Sequence, residues 1–329
     1  MRADLIDFPF DDAVRFSAAD DSMHAVGPTR DWTETTWWSF NVPERSLAGW
    51  LYVQVRPNNG TAAGGAFVYG PGDWMPWELP YYAYFDHQPV PDPLDLASVS
   101  FMNGVSVEVL DPGIRYRLGY RFRDQDDFVA NLEFTGLTPP VPHVHGAPPF
   151  TGSSHYDQHG RLTGELLLHG ERIPVDCIAV RDRSWGRRPE RVGPSVPRLS
   201  YVFGATSDDE AFLVFCQPPA DDQESETETL SSGYLLRDGK LRRLARATRT
   251  NTRDLGTGAI AGLEIDALDT DGRSLHVVGT PRSRMMLSHV GICINTFLEF
   301  DVDGRTGHGE DQDVWSIARF GARRRRQRG

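Results

Sequence analysis

"RLTGELLLHGERIPVDCIAV", Arg161 to Val180, decides the fold. Its apolar and polar residues follow a period of two, which belongs to strands rather than helices. The pattern breaks at "HGE" (His169), the kind of short polar punctuation that joins two antiparallel strands. Other stretches repeat it. "GWLYVQVRP" (Gly49 to Pro57) sets Trp50, Tyr52 and Gln54 against Leu51, Val53 and Val55. "IRYRLGYRFRD" (Ile114 to Asp124) sets Tyr116, Leu118, Tyr120 and Phe122 against Arg115, Arg117 and Arg121. "LSYVFGAT", "AFLVFCQP", "GLEIDALDTDGRSLHVVGT" and "GICINTFLEFDVDG" continue the theme, with further turns at "RDGK" (Arg237) and "TDGR" (Thr270). No convincing amphipathic helix runs for three turns, and only a short one is expected, around Asp92 to Ala97.

The chain is therefore expected to be all-β, in antiparallel sandwiches or barrels. Its strands fall into two groups, Trp32 to Val180 and Leu199 to Ala318, separated by the Pro-, Arg- and Gly-rich "RRPERVGPSVPR". The expected domains are 1–188 and 189–329, the second ending in a disordered basic tail, 323–329. "PPADDQESETETLSS" (Pro218 to Ser232) reads as a flexible acidic hairpin loop, and "TPPVPHVHGAPPF" (Thr138 to Phe150) as an ordered loop lying across another part of the fold.

Composition narrows the function. With 329 residues, 39% hydrophobic and 11% aromatic, the chain can bury one or two real cores. Net charge is −12, and without the five arginines of "RRRRQR" it is −12 − 5 = −17. So acidic a body disfavours nucleic acid and anionic membranes as partners. Cys177, Cys216 and Cys293 are widely spaced and form no CxxC, which argues against a zinc knuckle or a disulfide framework. The N-terminus lacks the apolar core of a signal peptide, and no apolar run approaches the roughly 20 residues of a membrane span. A reducing, cytoplasmic setting is expected. The lone lysine, Lys240, reflects base composition and carries no mechanistic weight.

Immediately after Val180 the chain reads Arg181-Asp182-Arg183-Ser184-Trp185-Gly186-Arg187-Arg188. Together with the preceding "HYDQHG", this resembles the signature of the carotenoid hydratase (hydroxyneurosporene synthase)-like family, in which a His-aromatic-acid/amide-Gln segment precedes an RDxSWG run. The openings "WTETTWWSFNVPERSLAGWLYVQVRPNNG" and, more weakly, "GRTGHGEDQDVWS" are similar to the same family. Cys177 and Ala179 depart from it, standing where glycines are common. The resemblance implies two lipocalin-like β-barrel domains packed together around a ligand cavity. It also implies chemistry on apolar polyenes, with similar folds hosting polyketide pericyclases.

The residues offer specific candidates. In RDxSWG, Arg181, Asp182 and Trp185 could orient a water or a substrate oxygen and stabilise a cation through the indole face. They could equally form a structural arginine–carboxylate clasp under an aromatic lid. The clasp would have Asp182, or a carboxylate from elsewhere, hold an arginine while Trp185 packs at the junction between the halves. On a strand, His155, Asp157 and His159 share one face, with Tyr156 and Gln158 on the other. Hydrating an alkene needs a proton donor and a base for water, which His155, Tyr156 and Asp157 supply; the plainer account is a polar strand edge. "HVH" (His143, His145) is a weak metal motif without a third ligand, and no metal or other cofactor is expected.

Glu34, Trp37, Trp38, Trp77 and Tyr82 lie in aromatic-rich segments. Six aromatics between Trp74 and Phe85 exceed one strand face, and a flat apolar ligand would account for the surplus. Glu310 and Trp315 look like the corresponding acid and aromatic of the second half, with Glu310 expected to pair with a central arginine. A phosphate loop, a GxSxG elbow and a Rossmann unit are all missing. The expectation is a cofactor-independent lyase or isomerase acting on an apolar unsaturated small molecule such as a terpenoid or polyketide. The alternatives are a shape-driven pericyclase and a non-catalytic hydrophobic ligand carrier.

Overall fold

The computed structural model describes residues 16–189, 196, 198–288 and 291–328. Its elements are β1 (Trp32–Val42), β2 (Leu47–Arg56), β3 (Thr61–Tyr69), β4 (Tyr81–Pro89), β5 (Ser98–Ser100), β6 (Val105–Asp111), β7 (Arg115–Arg121), β8 (Phe128–Gly136), β9 (Val141–Pro142), β10 (Ser153–Leu168) and β11 (Glu171–Arg187). Next come β12 (Leu199–Ser207), β13 (Glu210–Gln217), β14 (Thr227–Arg237), β15 (Lys240–Arg253), β16 (Ile260–Asp269), β17 (Ser274–Ser288), β18 (Ile292–Val302), β19 (Arg305–Trp315) and α1 (Ile317–Arg328).

The fold is all-β and lipocalin-like. The first eleven strands form one antiparallel sheet in the order β4-β3-β2-β1-β11-β10-β8-β7-β6-β5, with β9 added beside β10. The sheet curls until the Tyr81 hydroxyl on β4 lies 2.8 Å from that of Tyr120 on β7, giving a half-barrel. Strands β12 to β19 close a complete barrel in chain order. The change of sheet falls between Arg187 and Leu199, where 190–195 and 197 of the expected linker lie outside the described residues.

The β10–β11 hairpin turns at His169 and Gly170, with φ of 48° and 85°. Positive φ at both positions gives the two-residue turn whose twist matches its strands, and Gly170 adopts it without steric cost. One core fills the half-barrel, with Trp38, Phe40, Leu162, Leu166, Val175 and Tyr116 among its members. A second fills the closed barrel around Val202, Phe212, Leu263 and Phe300. A third lies between the two, joining Trp37, Trp50 and Val180 of the open sheet to Tyr201, Phe203, Phe215 and Tyr234 on the barrel wall.

Three expectations change. Asp92 to Ala97 forms no helix; Ala97 N–H bonds the Asp95 side chain in a turn. The tail expected to be disordered is helical through Arg328, because Arg323 pairs with Glu226, Arg326 pairs with Glu224 and Arg324 donates to the Leu255 carbonyl; Gly329 lies outside the described residues. The acidic stretch expected to be a flexible loop supplies those partners and then enters β14, where Glu228 is fully buried. The proline-rich loop does lie across the barrel, with Val144 N–H donating to Ser232 Oγ at 3.3 Å.

Candidate active site between the two sheets

Alternation on β10 and β11 sends neighbouring residues to opposite faces. Arg181, Arg183 and Trp185 continue the apolar face of Val175, Cys177 and Ala179 into the mouth of the half-barrel. Arg181 is buried beneath a ring from each of Trp38, Tyr116 and Tyr156, with its guanidinium carbon 3.9 Å from the Tyr116 centroid. Its Nη1 donates to Asp21 at 3.0 Å and its Nε to Gln158 at 2.6 Å. Asp21 also accepts from Gly113 N–H and the Tyr116 hydroxyl, both at 2.7 Å, and from the Tyr156 hydroxyl at 3.3 Å. Arg183 pairs with Glu34 at 2.9 Å, and Trp185 stacks on His24 at 3.9 Å.

This is a clasp that fastens the segment before β1 over the half-barrel. Each arginine is matched by a carboxylate, as a buried guanidinium requires. Of the two partners expected, the carboxylate from elsewhere serves: Asp21 and Glu34, not Asp182, hold the arginines. Trp185 is half-buried against His24 rather than at the junction of the halves. Asp21 and His24 escaped the sequence reading, although "SAAD" (Ser17 to Asp20) is a capping pattern and closes a short turn through the Ser17 N–H bond to Asp20 at 2.6 Å.

The other face turns toward the barrel. His155, Asp157 and Asp182 approach one another there, their nearest ligand atoms all within 4.8 Å. His155 Nε2 lies 3.1 Å from Asp157 Oδ2, and the Tyr201 hydroxyl from β12 donates to Asp157 Oδ1 at 2.7 Å. His155 and Asp157 are buried and Asp182 is half-buried. Burial pushes the Asp182 carboxyl up to about 7, Asp157 adding to the rise and His155 opposing it. For His155, burial disfavours the charged ring, but Asp157 outweighs it and the pKa ends above its ordinary value. Burial, reinforced by Asp157, holds the Tyr201 phenol well above its usual range. His159 Nδ1 meets the Tyr234 hydroxyl at 2.8 Å, and burial drops the His159 pKa to about 3.

Aromatic rings wall the cluster. Phe150 from the proline-rich loop stacks on His155 at 3.9 Å and 7°, with Phe215 edge-on at 5.8 Å. Trp37 meets Tyr201 at 6.2 Å and Trp50 at 5.3 Å. Beyond Trp50 sits Glu310, buried, accepting from Trp50 Nε1, the Tyr69 hydroxyl at 2.6 Å and Gln312 at 3.0 Å. Burial lifts its carboxyl to about 7 against those three hydrogen bonds. The central arginine expected to partner it instead serves the clasp.

The candidates therefore divide. His155, Asp157, Asp182 and Trp37 come together between the sheets. Glu34, Trp38, Tyr156, Gln158, Arg181 and Trp185 belong to the clasp on the opposite face. Trp315 lies at one end of the closed barrel, 4.1 Å below the Arg198 guanidinium, in an ion network that joins Arg198 to Glu228 at 2.6 Å and Arg249 to Asp311 at 2.5 Å. Trp77 is 76% exposed, and Tyr82 is 37% exposed and packs on Phe67. Tyr201 was missed, since period two alone does not say which barrel residue reaches across.

His143 Nε2 faces the Ala147 and Pro148 carbonyls, and burial with His155 nearby drops its pKa to about 4. The donor atoms of His155, Asp157 and Asp182 are close enough to share one metal ion, as are those of the exposed Glu264, Asp266 and His276. All three cysteines are free thiols, and among the described residues no helix is long and apolar enough to cross a membrane.

The fold and its inter-sheet face define a class, the two-part lipocalin-like proteins with a half-barrel packed on a closed barrel. Within that class the chain belongs to the family described as a domain of unknown function, DUF7064, which matches residues 17–311. No curated protein matches the sequence. Among solved structures it is similar to an AttH candidate of Nitrosomonas europaea, at 18% identity and TM-score 0.55, covering 86% of this chain and 91% of that one. It is also similar to CghA, at 12% identity and TM-score 0.57 over 88% and 89%. CghA with Sch210972 aligns at 13% identity and TM-score 0.52 over 87% and 89%. At these identities the likeness is one of fold.

Proposed function

We propose that the protein is an enzyme that adds water to, or removes it from, an apolar unsaturated small molecule held between the two sheets, using no cofactor. The observation that carries this reading is the His155–Asp157–Asp182–Tyr201 cluster: titratable groups set in an aromatic wall, one of them a carboxyl near neutrality. Such a carboxyl keeps a proton to give while still ionising readily, which suits a general acid. Protonated Asp182 delivers its proton to an alkene carbon. Water attacks the resulting cation, and the Asp182 carboxylate takes back the proton that water loses. Asp157, fixed by Tyr201, favours the charged form of His155, which steadies that carboxylate between the two proton transfers. The reverse sequence dehydrates an alcohol. Facing rings such as Trp37 stabilise the cation. Isomerisation or cyclisation follows if the cation loses a proton or is captured internally. CghA with Sch210972 supports small-molecule binding by this fold.

The test is native mass spectrometry of the purified protein to identify a co-purifying apolar ligand, followed by incubation of that ligand in oxygen-18 water. Incorporation in the parent, lost in Asp157→Asn and Asp182→Asn, is expected. Binding with no conversion makes the protein a carrier. Conversion that survives both substitutions makes shape, not acid–base chemistry, the source of catalysis.

A further inference from the structure

We infer that Phe150 occupies the place of a planar unsaturated ring of the substrate, and that its loop must swing aside before that ring can stack on His155. The inference rests on the proposed role of His155 and names the substrate class of that site. The imidazole meets Phe215 and His143 edge-on, at 82° and 79°. Among the described residues, its face-to-face ring neighbour is Phe150, at 3.9 Å and 7°. A flat conjugated ligand that takes this ring face therefore has to replace a phenyl ring with a similar surface.

The loop is built so that it can give way. Its root is fixed in the open sheet, where β9 pairs with β10 and His143 N–H donates to the His155 carbonyl at 2.9 Å. Two serines of β14 hold the rest to the barrel: Ser232 Oγ accepts from Val144 N–H, and Ser231 Oγ donates to the Pro148 carbonyl. Phe150 itself is only half-buried. Its neighbours Pro148, Pro149 and Thr151 line a cleft of about 310 Å3 together with residues that include Arg198, Gln217 and Pro218. That volume is at the lower end of the ~300–1,000 Å3 of small-molecule sites. The cleft and the His155 cluster flank the same short loop, so one movement would join them into a larger, flat, largely apolar site with the acid–base groups at its floor.

The probe is 2-naphthol, a flat two-ring molecule, titrated calorimetrically into the parent, Phe150→Ala and the Ser231→Ala/Ser232→Ala double variant. The His155 ring-proton resonances are followed in parallel, assigned by their loss in His155→Gln. Phe150→Ala should abolish the upfield ring-current shift of His155, and added 2-naphthol should restore it. Both variants should bind more tightly than the parent, by about tenfold if the parent loop is open about a tenth of the time. Asp157→Asn should keep the affinity; its retained turnover would overturn the proposed reaction and leave this inference standing. Equal affinities in all three proteins, or naphthol binding that leaves the His155 resonances unmoved, would overturn it.

Discussion

Asp21→Ala tests whether the clasp stabilises the fold without taking part in chemistry. The substitution removes the acceptor for Arg181, Gly113 N–H and the Tyr116 and Tyr156 hydroxyls at once. Arg181 keeps Gln158 and its three rings but loses its carboxylate while buried. Breaking a buried ion pair from one side costs about 3–5 kcal/mol, because the remaining charge is neither hydrated nor paired. At roughly 2–4 °C per kcal/mol, Tm should fall on the order of 10 °C. A thermal melt followed by circular dichroism reads the loss, and turnover of the folded fraction should match the parent, because the clasp faces away from His155. The double variant Asp21→Leu/Arg181→Met should recover most of the loss, since it removes both charges together. A Tm within about 2 °C of the parent for Asp21→Ala, or a double variant less stable than the single, would refute the assignment.

Asp182→Asn should cut turnover about 10²–10⁴-fold with little change in Tm, and in the parent turnover should decline as pH rises through about 7 and the acid loses its proton; a pH–rate profile checks both. Glu310 titrates in the unfolded chain near its ordinary value and in the folded chain at about 7, so its contribution is complete at low pH and lost as pH rises through about 7. Glu310→Gln should therefore flatten the fall in Tm between pH 5 and 8, measured by differential scanning calorimetry. Dialysis against a chelator should leave turnover unchanged; loss of activity restored by added zinc or iron would make His155, Asp157 and Asp182 a metal centre instead.

Period two revealed the strands because it is a local property, imposed by a sheet that buries one face at a time. It also placed His155 and Asp157 together and apart from Tyr156, as the β10 register shows. What it could not supply was the partner across space. Tyr201 reaches Asp157 from 44 residues away and Asp21 reaches Arg181 from 160, distances over which no spacing rule acts. The RDxSWG run left the partner of its arginines open for a related reason. Its arginines stand in phase with Val175, Cys177 and Ala179, so they point into a core and demand buried carboxylates, whereas Asp182, adjacent in the chain, is on the wrong face to serve them. The basic tail reads as disordered from sequence because its counter-ions, Glu224 and Glu226, lie in a segment that itself reads as a flexible loop.

The β10–β11 hairpin has a consequence for how such a chain can change over generations. Its two strands carry the arginine clasp on one side and the acid cluster on the other, residue by alternate residue. Point substitutions on the barrel-facing side can therefore alter the chemistry while the clasp goes on securing the fold. Length changes have no such freedom. Losing one residue between the turn at Gly170 and Arg181 would carry Arg181 and Arg183 toward the barrel and turn Asp182 into the half-barrel, exchanging the two faces in a single event. Losing two would restore the phase and shift the cluster along the strand. Along this hairpin, tolerated insertions and deletions should come in even numbers or be confined to the His169–Gly170 turn.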